Sequence, residues 1–137
     1  MAWSKTKKLK FLNQQPVIRV ATVGRSGRPQ VTPVCHVVSD GRIYWASYLD
    51  AAKLANISHH RTVALVADVY QDNWKNLCGV MAQGKARIFK NGSVFRRVRG
   101  LLYSKFPLYK SNHSFDEGGA VIIEVTPTKL ISWSFKY

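Results

Sequence analysis

Short runs of β-branched and alternating apolar residues, divided by Gly, Pro and Asp turns, fill most of this chain. Residues 17–23 (VIRVATV) form the first run and stop at Gly24. Arg25 to Pro29 predicts a turn, with Gly27 supplying a positive φ and Pro29 unable to extend a ladder. Residues 30–38 predict a second strand, Ser39-Asp40-Gly41 a second hairpin turn, and residues 42–48 a third strand. Asp50, a good N-cap, precedes a short helix ending near His59 and His60. Residues 62–67 are continuously apolar, as in a strand buried on both faces.

Residues 78–90 alternate, with Cys78, Val80, Ala82, Ala86 and Ile88 on one face and Met81, Gln83, Lys85 and Arg87 on the other. Gly84 interrupts the apolar face, as at a bulge or a close backbone approach. Val94, Val98, Leu101 and Leu102 predict a helix over residues 93–106, closed by Pro107. Residues 110–118 read as a loop, and residues 120–124 and 129–135 as final strands broken at Pro127. Residues 3–13 predict a helix ended by Pro16. The whole is mainly β: a six- to seven-stranded antiparallel barrel with short helices at its rim.

The length, 137 residues, suits a single domain spanning 1–137, its N-terminal helical segment (1–14) packing on the barrel. No apolar run is long enough to span a bilayer, and residues 1–10 are too lysine-rich for an export signal. Cys35 and Cys78 lack metal-type spacing and read as core thiols, so the expected compartment is the cytoplasm. A formal charge of +14 favours anionic ligands or polyanions without choosing among them.

In this order the elements resemble a known family. Residues 21–29 (ATVGRSGRP) followed by 31–34 (VTPV) look like the opening hairpin of the pyridoxamine 5′-phosphate oxidase-like, FMN-binding split-barrel family. Residues 43–47 (IYWAS), 53–56 (KLAN) and 63–66 (VALV) are similar to its next strand, helix and strand. Residues 70–74 (YQDNW) with 84–86 (GKA) resemble the subgroup that includes deazaflavin-dependent reductases, and 131–133 (ISW) the last strand. The resemblance covers residues 10–135 and implies a split barrel that forms a homodimer, with FMN or a deazaflavin coenzyme at the subunit interface. It places Thr32, Pro33 and Val34 along the flavin ring, Ser47 and Lys53 at the phosphate, and Trp133 near the ring or on the partner's side.

Departures from the oxidase itself fall at Ala52, Thr32, Val37 and Gly79, where that enzyme has basic or glutamine residues, and its C-terminal arginine-histidine motif has no counterpart before Tyr137. Pyridoxamine phosphate is therefore not the expected substrate. What remains is a flavin-dependent oxidoreductase acting on a small molecule, or a flavoprotein that only carries the cofactor or electrons.

Read on their own chemistry, Lys53 and Ser47 at a helix start can suit an anion, but a solvated lysine and a strand-end serine are the commoner case, and it is the resemblance that favours the anion. Thr32, Val34, Gly84 and Trp133 fit barrel core or interface as well as a site. Trp74 reads as a packing residue. The His59-His60 pair suits a helix C-terminus, and Cys35 and His36 point to opposite faces of a strand, so no metal site is expected. No nucleophile–base set or phosphate loop is present, and no catalytic acid or base is assigned. Arg96, Arg97, Arg99 and Lys105, with Lys5, Lys7, Lys8 and Lys10, leave nucleic-acid binding as a weaker alternative.

Overall fold

The computed structural model describes residues 2–135; Met1, Lys136 and Tyr137, which the expected domain includes, lie outside the described residues. Seven antiparallel strands are formed by Ile18–Val23 (β1), Pro29–Val34 (β2), His36–Ser39 (β3), Arg42–Tyr48 (β4), Thr62–Val69 (β5), Cys78–Phe89 (β6) and Ala120–Ser134 (β7). The helices are Lys5–Gln14 (α1), Ala52–His59 (α2), Ser93–Lys105 (α3) and Pro107–Asn112 (α4). The strands make one sheet in the order β2-β1-β5-β6-β7-β4-β3. Its two edges, β2 and β3, are consecutive in the chain and separated by Cys35 alone. Covalent continuity therefore forces the sheet to curl until its edges meet at that bend, giving a split barrel.

That bend corrects the expected second strand, which ran unbroken from 30 to 38: its first half pairs with β1 and its second with β4. Pro29, expected to lie outside the ladder, opens β2 opposite Val23, and Pro33 sits within it opposite Arg19. Both are tolerated because β2 is an edge strand. The turns are as expected: Gly27 has φ 74°, and Asp40 (φ 52°) with Gly41 (φ 75°) gives the two positive φ values of a type I′ hairpin.

Pro127 does not break the final strand. Gly84 pairs with Pro127 and Gln83 with Lys129, so Thr128 is the extra residue of a bulge, its hydroxyl donating to the Gln83 carbonyl at 3.2 Å. The missing N–H of Pro127 falls where the ladder is already interrupted. A Cβ at Gly84 would collide with the Thr126 carbonyl oxygen, the close approach that the lone glycine signals. The bulge also reverses the parity of β7. Val121, Ile123 and Val125 face the barrel core before it and Leu130 after it, leaving Ile131 and Trp133 on the outer face.

The inner core unites Ile18, Val20, Trp45, Leu65, Val80 and Ile123 with Leu12 of α1. A second core on the outside packs Phe95, Val98 and Leu102 of α3 against Val37, Tyr44 and Ile122. Residues 107–112, partly expected as loop, form α4, since Pro107 at the first helical position starts a helix as well as it ends one. Strand β5 is buried at Val63, Leu65 and Ala67 but only half-buried at Ala64 and Val66, so one face is open in the single chain. Helix α2 starts with Ala51 at its N-cap and no side-chain cap. Asp50 falls one residue early, inside the turn closed by the Ala51 N–H on the Tyr48 carbonyl at 3.3 Å.

Candidate functional site

The residues expected to hold a cofactor fall on two faces of the barrel. Thr32 and Val34 face inward: Thr32 shares a cross-strand row with Val20, Leu65, Ala82 and Leu130, and Val34 packs on the inner core. The Thr32 hydroxyl is buried without a partner among the described residues. Pro33 faces outward, at the end of a row that continues through Arg19, Val66, Met81 and Ile131 on four further strands. Trp133 lies on the same outer face against the α-carbon of Gly79, where a Cβ would overlap the indole. As an edge strand, β2 also carries backbone N–H and C=O groups with no strand beside them. Outer apolar side chains and an open backbone edge are what a flat ring with polar rim atoms requires.

Ser47, the penultimate residue of β4, has 6% of its surface exposed, and its hydroxyl donates to the Tyr48 carbonyl at 3.1 Å. To donate to a phosphate the hydroxyl must turn from that carbonyl. Lys53, second residue of α2, is half-buried and has no acid or hydrogen-bond partner among the described residues. Helix α2 packs on β1, and Asn56 donates to Thr22 Oγ1 at 3.1 Å and Gln30 Oε1 at 3.3 Å, fixing the helix over the first hairpin. An unpaired ammonium near a helix N-terminus fits an anion.

Sequence reasoning missed a groove of about 520 Å³ at the β2–β3 bend. Cys35 and Tyr48, the residues following Val34 and Ser47, line it together with Lys105, Phe106, Tyr109 and His113. A smaller cavity of about 30 Å³ behind it is lined by Ser47 and shares Tyr48, Tyr109 and His113. Nothing in local periodicity announces this convergence; Pro107 after Lys105 hints only at a turn. Phe106, Tyr109 and Phe115 hold α4 in place through edge-to-face contacts, and Tyr103 latches the Phe115 backbone, accepting from its N–H at 3.0 Å and donating to its carbonyl at 3.2 Å.

Lys105 Nζ donates to the carbonyls of Gln15 and His36, both at 2.8 Å. Burial lowers its pKa to about 8, against an opposing pull from Cys35. Burial, and after it the neighbouring ionisable groups of Cys35 and Tyr48, push the Tyr109 hydroxyl up to about 12.

On α3 the arginines are engaged. Arg99 pairs with Asp116 at 2.8 Å, Arg96 with Glu117 at 3.3 Å, and Arg97 donates to Ser39 and Tyr44. That local pairing weakens the reading of α3 as a phosphate-binding stripe. His60 is the C-cap of α2, its N–H donating to the Asn56 carbonyl at 2.8 Å, and its ring accepts from the Thr62 N–H at 3.3 Å. Trp74, expected to pack, is 55% exposed on a 3-10 turn. Among the described residues no helix is long and apolar enough to cross a membrane, and no group of three His, Cys, Asp or Glu side chains is placed to hold a metal.

The fold is shared with solved structures of low sequence identity. The conserved hypothetical protein Rv2991 of Mycobacterium tuberculosis superposes with a TM-score of 0.83 at 19% identity, over 98% of this chain and 86% of that one. The heme storage protein HutZ of Vibrio cholerae gives 0.77 at 14% identity, over 98% and 95%. An FAD-binding protein of Mesorhizobium loti also gives 0.77, at 16% identity over 96% and 95%. No curated protein matches the sequence. Independently of the fold, residues 5–134 match the Pyridoxamine 5′-phosphate oxidase family model, and the chain belongs to that family.

Proposed function

We propose that this protein is a cytoplasmic flavin-dependent oxidoreductase that binds FMN, or a deazaflavin coenzyme, in a seam between two copies of the chain. The observation that carries this reading is the outer face beside the open edge of β2. On that outer face the bulge in β7 turns Ile131 and Trp133 outward, and Ile131 falls in the cross-strand row of Met81, Val66 and Pro33. A second copy set on this face would enclose a planar ring between apolar walls. Lys53 would hold the phosphate, with Ser47 joining once its hydroxyl turns. The edge backbone of Thr32 to Val34 would meet the polar rim of the ring, and Trp133 would close one side.

A bound flavin supplies hydride transfer; the chain supplies position, exclusion of water and cations that favour an anionic ring. The flavin-binding neighbour from Mesorhizobium loti supports this choice of group, whereas HutZ indicates that the same fold also serves heme storage. A carrier without turnover would bind the flavin identically and is separated from an enzyme only by assay with hydride donors and acceptors.

The protein as purified should carry a flavin absorbance, with the released group identified by mass, and should quench FMN fluorescence on titration. Lys53→Gln should weaken FMN by about 10–100-fold, the range for losing one charged hydrogen bond, and leave riboflavin unchanged because it lacks the phosphate. A colourless protein that quenches neither FMN nor a deazaflavin, or one carrying a heme spectrum, would overturn the reading.

A further inference from the structure

The groove at the β2–β3 bend has a composition that cofactor binding leaves unused. Its walls are largely apolar, led by the rings of Tyr48, Phe106 and Tyr109, and among the described residues no carboxylate lines it. Tyr48 and Leu108 at its mouth are 66% and 70% exposed, an apolar surface that a flat ligand would cover. About 520 Å³ is room for one or two fused aromatic rings.

Among the described residues the one ammonium in the lining is Lys105, and it is already ordered. Two of its three N–H groups are spent on the Gln15 and His36 carbonyls, and it stands 5.2 Å from the centre of the Phe106 ring. The third N–H is left for a ligand, and little further freedom is lost in using it. A partly buried cation also attracts an anion more strongly than a solvated one does.

We propose that this groove is the substrate pocket and that it takes a planar aromatic carboxylate, with the ring against Tyr48, Phe106 and Tyr109 and the carboxylate on Lys105. The proposal rests on the flavin reading, because Cys35 and Tyr48 directly follow Val34 and Ser47 and so open the groove beside the cofactor strand.

The test uses 2-naphthoate and its uncharged counterpart 2-naphthamide on the full chain, with and without FMN. Binding is read by fluorescence titration. Occupancy of the groove is read by iodoacetamide alkylation of Cys35, with Cys78 on β6 as the reference thiol in the same molecule. Naphthoate should bind about tenfold or more tighter than the amide and slow alkylation of Cys35 but not of Cys78. Its affinity should fall as pH rises above about 8, where Lys105 loses its charge.

Lys105→Gln should abolish the preference for the anion. Because that change also touches two backbone carbonyls, Tyr48→Ala at an exposed wall provides a second variant, expected to weaken naphthoate about tenfold. Equal affinity for the amide, or unprotected Cys35, overturns the proposal. FMN alone shielding Cys35 as fully as naphthoate also overturns it, since the groove would then belong to the cofactor. Protection by naphthoate in a chain that binds no flavin would instead remove the flavin reading and leave the aromatic-acid pocket standing.

Discussion

His36 shows how one residue ties local sequence to the stability of the fold. It is fully buried; its Nε2–H donates to the Leu12 carbonyl at 2.6 Å and its Nδ1 has no partner among the described residues. Burial lowers the pKa to about 4, helped by the Lys105 charge and opposed by the bond to Leu12. Protonation would add a second N–H that finds no acceptor. The unfolded chain has the ordinary value near 6.5 and therefore binds more protons between about pH 6.5 and pH 4. Stability is full above that window and should fall by about 3 kcal/mol as pH drops through it. His36→Gln keeps an amide N–H for Leu12 and does not titrate, so urea unfolding at stepped pH should lose most of this slope. An unchanged slope would assign acid sensitivity to other groups. The sequence told that Cys35 and His36 face opposite ways; it could not tell that one lines a groove and the other fastens α1, because both partners come from distant segments.

Among the elements, the β6–β7 pair controls the outer face, and its glycines define its tolerance. Gly84→Ala should cost about 1–3 kcal/mol, the price of overpacking against the rigid Thr126 carbonyl. Gly100→Ala, on the exposed side of α3 with open space where its Cβ would lie, should gain about 0.5–1 kcal/mol. Thermal and denaturant unfolding of the two variants should shift in opposite directions; destabilisation by both would mean that the bulge does not account for Gly84. Strands carried by alternation, such as β6, and turns carried by Gly27 and Asp40-Gly41 were legible because their signals are local. Three features were not. The break at Cys35 comes from closing the sheet, which no window of nine residues records. The continuity of β7 through Pro127 depends on a bulge set by the facing strand. Helix α4 is held by aromatic contacts from α3 and Phe115. Of the candidate site, the sequence offered Lys53 near a helix start and, through the family resemblance, residues 32–34, whereas the edge position of β2 follows from the sheet order and the groove depends on residues more than fifty positions apart.

For the whole molecule the charge of +14 sets two equilibria against each other. If two copies meet across Pro33, Val66, Met81 and Ile131, apolar contact drives association while like net charges oppose it at long range. Added salt screens that repulsion, so sedimentation velocity should show a dimer that tightens as ionic strength rises. FMN brings a phosphate toward a cationic protein, and its binding should weaken over the same range, giving slopes of opposite sign. Ile131→Lys lies on the outer face and leaves the inner core intact, yet sets two cations near each other across a two-fold contact. It should yield a folded monomer by circular dichroism and sedimentation, with flavin affinity reduced because half of each seam is gone. A monomeric variant that binds FMN as tightly as the parent would place the cofactor within a single chain, and a parent that is monomeric at all salt concentrations would remove the seam altogether.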